Sequence, residues 1–185
     1  MLTEKQGGKL VNYARDVIES YVCEEEMPEK PDEEFLERKR GVFVTLRKDG
    51  DLKGCIGLPE PQVPLNIAVR DAAISATQDR RFPPLEPEEV EDLDVEVTVM
   101  SKPERIDVDR PEDYLDKIKV GKHGLVIEKG VRSGLLLPQV PEEQGWDCKQ
   151  YLQGLCEKAG LPTDAWKEKS VTIKCFKGKV FGEEK

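Results

Sequence analysis

Cysteine, lysine and arginine stand here in spacings that support chemistry. Cys55 lies between glycines in Leu52-Lys53-Gly54-Cys55-Ile56-Gly57. A thiol becomes a nucleophile when it loses its proton, which calls for partial exposure and a nearby cation or helix N-terminus. Lys53 is two residues away and, on an extended strand, on the same face as the sulfur. Its ammonium either holds an anionic substrate group or pairs with a carboxylate of its own chain. Gly54 and Gly57 weaken a buried strand and mark close approach by a ligand or by other backbone. The plain alternative for Cys55 is a small apolar filler beside Val42 and Val44.

Asp79 and Arg81 follow a helical stretch. Either they pair to fix a loop, or the guanidinium is aimed at a substrate carboxylate or phosphate. His123, the single histidine, titrates near neutrality and is a candidate general base for Cys55. At a turn, its other role is solvation or capping. Gln139 offers an amide to a ligand or to loop backbone, and Trp146 reads as a core anchor at a helix start. Asp92, Asp94 and Glu96 alternate on one strand face, with no convergence of oxygens that a divalent ion needs. With one histidine and no Cys-x-x-Cys, no zinc pattern assembles. The sequence specifies neither a metal nor a cofactor.

The elements that must position these residues are legible from periodicity. Thr3 and Gln6 form a capping box ahead of Leu10, Ala14, Val17, Ile18 and Tyr21, which predicts a helix over about 4–21. Gly41 to Leu46 and Leu52 to Gly57 flank Asp49-Gly50, a pair suited to a type I′ hairpin turn. In that register Lys48 opposes Asp51, Leu46 opposes Lys53, Val44 opposes Cys55 and Val42 opposes Gly57. Both faces carry apolar residues, so the hairpin is expected inside its sheet. A small-residue helix over 65–77 and an alternating strand around Leu93–Val99 complete a first set. A short helix over 111–118 follows. Gly124 to Glu128 and Leu135 to Leu137 then form a second hairpin, followed by a helix over 146–159 stopped at Gly160 and a strand over 171–176. The order of elements repeats, predicting an α+β fold of duplicated β-β-α-β units with mostly antiparallel sheets and an extra N-terminal helix. The lobes run over about 36–100 and 120–176, with a groove expected where they meet.

Composition bounds the function. The 185 residues carry a net charge of −9 with 36% charged and 37% hydrophobic residues. A negative balance makes a nucleic-acid backbone an unsuitable partner, since phosphates require a basic footprint. No segment is long and apolar enough to span a bilayer. The amphipathic start lacks signal-peptide character, and five scattered cysteines read as free thiols, so a cytoplasmic protein is expected.

Six separated motifs resemble the AMMECR1 domain family, in its stand-alone archaeal form, over nearly the whole chain. They are Arg40 to Leu46, Leu52 to Gly57, Asp79 with Arg81-Phe82, Leu137-Pro138-Gln139-Val140, Gly145-Trp146 and Lys158 to Leu161. The family pattern has arginine at Lys53 and usually proline at Arg80. Lysine supplies a point charge where arginine supplies a planar fork. The resemblance implies the same duplicated fold. For function it implies either an enzyme or a role in basic gene expression, in the company of radical-SAM and dioxygenase-like proteins, with no settled reaction. Three functions follow: an enzyme acting on a small anionic metabolite or modified residue, a non-catalytic module for a small molecule or protein partner, or nucleic-acid binding, which the charge opposes.

Overall fold

A computed structural model describes residues 1–183. In chain order the elements are α1 (Glu4–Val22), β1 (Val42–Lys48), β2 (Asp51–Leu58), α2 (Leu65–Thr77), β3 (Leu93–Met100), β4 (Glu104–Arg105), α3 (Asp113–Lys117), β5 (Gly124–Lys129), β6 (Arg132–Leu136), α4 (Val140–Gln144), α5 (Cys148–Lys158), β7 (Thr172–Phe176) and β8 (Gly178–Gly182). Contacts divide the chain into two units, Met1–Met100 with the segment from Lys179, and Ser101–Gly178. The fold is α+β, with one four-stranded sheet ordered β2-β1-β3-β8 and another ordered β4-β7-β5-β6.

In the first unit, α1 begins at the expected capping box. The Thr3 N–H donates to the Gln6 side chain (3.0 Å) and the Gln6 N–H donates to Thr3 Oγ1 (3.2 Å). Leu10, Ala14, Val17 and Ile18 fall on one side of the helix and are fully buried. They share a core with Val42, Val44 and Leu46 of β1 and Val95, Val97 and Val99 of β3, while α2 adds Leu65, Val69, Ala72, Ala73 and Ala76. Both helices therefore cover the same face of the sheet, and each large aliphatic side chain buried there contributes about 1.5–3 kcal/mol. Glu183 is tied to this unit. Arg15 of α1 donates from Nε to Glu183 Oε1 (2.7 Å) and from Nη1 to the Val90 carbonyl (2.7 Å). The Val95 N–H donates to Glu183 Oε2 (3.0 Å).

In the second unit, Leu125, Ile127 and Ile173 pack with Tyr151, Leu152, Leu155 and Trp166. Helix α5 starts two residues later than periodicity suggests. Asp147 caps it, accepting from the Gln150 N–H (2.8 Å), and Trp146 lies ahead of the cap. Helix α4 fills a stretch expected to be loop; Pro141 sits in its first turn and Gly145 closes it with a left-handed φ of 66°. The sequence does not announce β4, which has two residues, or β8, which begins and ends on glycine.

The duplication is visible in the pairing. In each unit a hairpin is followed by a helix and then by a third strand antiparallel to the first of the hairpin. Aligned on their turn pairs, Lys48 with Asp51 and Lys129 with Arg132, the paired positions of the two hairpins correspond once Lys53, an extra residue in the first, is set aside. Leu46–Gly54 matches Ile127–Gly134, and Thr45–Cys55 matches Val126–Leu135. Gly54 and Gly134 do the same work. A Cβ on Gly54 would lie 2.1 Å from the Ala76 carbonyl oxygen, and one on Gly134 would lie 2.8 Å from the Ala159 nitrogen. At both places the end of a helix passes directly over the strand.

Candidate functional site

The hairpin turn is as expected, with positive φ at Asp49 (52°) and Gly50 (86°), but the register beyond it is not. Lys48 opposes Asp51 and Arg47 opposes Leu52; Leu46 then opposes Gly54, and Lys53 is the extra residue of a β-bulge. A bulge of one residue moves every later side chain to the other face. Cys55 therefore opposes Thr45, not Val44, and Val42 opposes Leu58, not Gly57. The reading of Cys55 as filler beside Val42 and Val44 is corrected by the same shift. Those valines face the helices, while Cys55, Gly57, Phe43, Thr45 and Arg47 occupy the opposite face. The hairpin is not interior either, because β2 is an edge strand.

That edge is held by the loop after α2. The Cys55 N–H donates to Asp79 Oδ2 (3.0 Å), and Arg81 Nη2 donates to the Cys55 carbonyl (3.2 Å). Arg81 also donates to Asp79 from its backbone N–H (3.1 Å), from Nε (3.1 Å) and from Nη2 (2.7 Å). Asp79 is 5% exposed. Its hydrogen bonds with Arg81 are the largest influence holding its carboxyl well below the usual range, opposed by burial and aided by the Cys55 and Arg81 amides. Of the two readings of this pair, the structure supports the fixed loop, and it adds what the loop fixes: the main chain of Cys55. The Arg81 side chain remains 60% exposed.

Since the outward groups of Cys55 are engaged by Asp79 and Arg81, Thr45 and Cys55 form a non-hydrogen-bonded pair, the kind whose side chains approach most closely. Thr45 Oγ1 and Cys55 Sγ are 3.2 Å apart. Thr45 in turn opposes Glu96 of β3. A thiol, a hydroxyl and a carboxylate thus lie in one row across three adjacent strands, on the face away from α1 and α2. Arg47 Nε is 3.9 Å from Glu96 Oε2. Phe43 opposes both Gly57 and Thr98, and a Cβ on Gly57 would strike the Val42 carbonyl at 2.2 Å and the Phe43 ring at 2.6 Å. The close approaches that Gly54 and Gly57 permit are made by this chain itself. Thr45 escaped the sequence reading, and Glu96 entered it only as one of three carboxylates weighed for a divalent ion. Their signal was the alternation Phe43-Thr45-Arg47 and Asp94-Glu96-Thr98, which becomes a shared face only once the bulge is placed.

The other expected participants do different work. Lys53 pairs with Glu89 (3.3 Å), which also receives Lys48 at 3.9 Å. Its ammonium pairs with a carboxylate of its own chain, the second of the two roles expected for it. His123 belongs to the second unit, where its Nδ1 accepts from the Lys119 N–H (3.2 Å). Burial, then the charges of Lys177, Lys119 and Lys122, push its pKa below the ordinary value. Gln139 is exposed and precedes α4, where its carbonyl accepts from the Glu143 N–H (3.0 Å). A hollow of about 490 Å³ in the second unit is lined by Asp107, Val108, Asp109, Asp113, Asp116 and Lys117. There Asp113 is bound by the Arg110 amide and guanidinium. Among the described residues no group of three ligating side chains could hold a metal ion, and no helix is long and apolar enough to cross a membrane.

Comparison with known proteins places this geometry in a wider set. The family model described as AMMECR1 matches residues 11–181. Protein MK0488 of Methanopyrus kandleri is 48% identical, with 99% of this chain and 91% of that protein covered. Protein MJ0810 of Methanocaldococcus jannaschii is likewise 48% identical, over 99% and 92%. The crystal structure of the uncharacterized protein PH0010 from Pyrococcus horikoshii aligns with a TM-score of 0.78 at 44% identity, covering 99% of this chain and 94% of that one.

Proposed function

The chain belongs to the AMMECR1 family, and we propose that it is an enzyme whose reacting atom is the Cys55 sulfur, on the helix-free face of the first sheet. The observation that carries this reading is the investment in one residue. A buried carboxylate and a guanidinium hold both outward main-chain groups of Cys55, a half-buried residue whose thiol meets a hydroxyl. Rigid placement of a reacting group lowers a barrier by orienting it before reaction. The substrate class is a small anionic metabolite or a modified residue bearing an electrophilic carbon. Arg81, 60% exposed and bound to the Cys55 carbonyl, supplies the positive charge at that strand edge.

A second reading, a binding module for a small molecule or protein partner, has its own support. Among the described residues Cys55 Sγ meets a hydroxyl and not an imidazole or carboxylate, a contact that a binding module holds as readily as an enzyme. Alkylation by iodoacetamide, followed by peptide mapping, separates the two. For an enzyme, Cys55 in the folded protein is alkylated at a rate comparable to that of exposed Cys23 or faster, rising with pH. Small dianions such as malonate and phosphate slow it. A Cys55 that stays unmodified until the protein is denatured contradicts the catalytic reading and favours the module.

A further inference from the structure

Resting on the reading of Cys55 as the reacting atom, we infer that Thr45 is the positioning residue that activates it, its O–H donating to the sulfur when the thiol loses its proton. Three observations meet here. Thr45 is 8% exposed and its Oγ1 lies 3.2 Å from Cys55 Sγ, its hydrogen-bond partner among the described residues. A hydroxyl donating to an anion favours the charged form and lowers its pKa. The loop that pins the Cys55 main chain fixes the sulfur where that bond forms.

The third observation is the internal repeat, which acts as a control. The second unit holds Leu135 and Val126 at the positions of Cys55 and Thr45. Glu96 is matched by Lys174, which opposes Val126. The same strand crossing is built there from an apolar pair, so the hairpin does not require a polar one. The threonine and cysteine of the first unit are an addition to the scaffold.

The other charges around the thiol are Glu96 on β3, with Arg47 beside it, Asp94 in the next row, Asp79 and Arg81 at the strand edge, and Lys53 on the same strand, turned to Glu89. Glu96 and Asp79 oppose formation of the thiolate, whereas Arg81 and Arg47 favour it.

The test is the pH dependence of Cys55 alkylation in wild type, Thr45→Val and Thr45→Ser, with Cys23 as the internal reference. Valine suits the strand because Val126 occupies the matching site. In Thr45→Val the titration midpoint moves up by about one unit, making alkylation about tenfold slower at pH values well below both midpoints. Serine restores the wild-type midpoint, and Cys23 is unchanged throughout. An unmoved midpoint in Thr45→Val, or a serine variant that behaves like valine, overturns the role of Thr45 while leaving Cys55 reactive. Wild-type Cys55 that does not react in the native state overturns the underlying reading instead. If Thr45→Val does not fold, Thr45→Ala is read in the same way.

Discussion

Gly54→Ala is expected to destabilise the protein by about 3 kcal/mol, the upper end of the usual cost of overpacking. The added methyl would sit 2.1 Å from the Ala76 carbonyl oxygen. That atom is backbone in the last turn of α2, so relief requires the helix or the strand to move as a body. For a chain of this length the loss corresponds to a fall in Tm of about 10 °C. Gly134→Ala is the matched comparison. Its nearest contact is 2.8 Å, to the Ala159 nitrogen at the end of α5, and a loss of about 1 kcal/mol is expected. Thermal melts of the two variants side by side check the ordering. Equal effects would mean that the two helix crossings are not spaced as described.

Asp79→Ala has the second large effect, and it acts on stability and on the site together. Four hydrogen bonds end on this carboxylate, one from the Cys55 amide and three from Arg81. Removing it orphans the Cys55 N–H at the strand edge, and such a group costs about 1–3 kcal/mol. The released guanidinium is 60% exposed and rehydrates, so the total stays at about 2–3 kcal/mol. Urea unfolding of the variant measures it. The pH dependence has a definite sign. Asp79 titrates below the usual carboxylate value, so its contribution is complete above the unfolded value of about 3.9 and is lost as pH falls towards the folded one. The gap between wild type and variant should be constant from pH 5 to 8 and narrow only below about pH 4. A gap that closes already at pH 6 contradicts the assigned partners. Alkylation of Cys55 in the variant should also lose its protection by anions, since Arg81 is no longer held against the Cys55 main chain.

Much of the scaffold was readable from residue types because local and global preferences agree. Thr3 and Gln6 cap α1, Asp49-Gly50 turns the first hairpin, Gly160 follows α5, and the repeated order of elements yields two sheets of like topology. The site was less readable because one bulge decides it. Lys53 followed by glycine has no distinctive bulge signature, yet the extra residue exchanges the faces of everything after it. What fixes the bulge is tertiary. Gly54 must face the Ala76 carbonyl, and Lys53 must reach Glu89. Neither partner adjoins the hairpin in sequence. The role of Arg81 was hidden for the same reason, since Asp79 and Arg81 are some two dozen residues from the cysteine whose backbone they hold.

The placement of Cys55 opposite Thr45 is the claim on which the rest depends, and cross-strand disulfide trapping reads it directly. Thr45→Cys and Val44→Cys are each made in a background with Cys23, Cys148, Cys156 and Cys175 replaced by serine or alanine, then oxidised with copper phenanthroline and mapped by peptide mass spectrometry. A non-hydrogen-bonded antiparallel pair brings its Cβ atoms into the range that a disulfide spans, whereas residues on opposite faces of a sheet cannot be joined. The register described here predicts a bond from Cys55 to the new thiol in Thr45→Cys and none in Val44→Cys. A bond in Val44→Cys with none in Thr45→Cys would put the sulfur back among the core valines and remove the site.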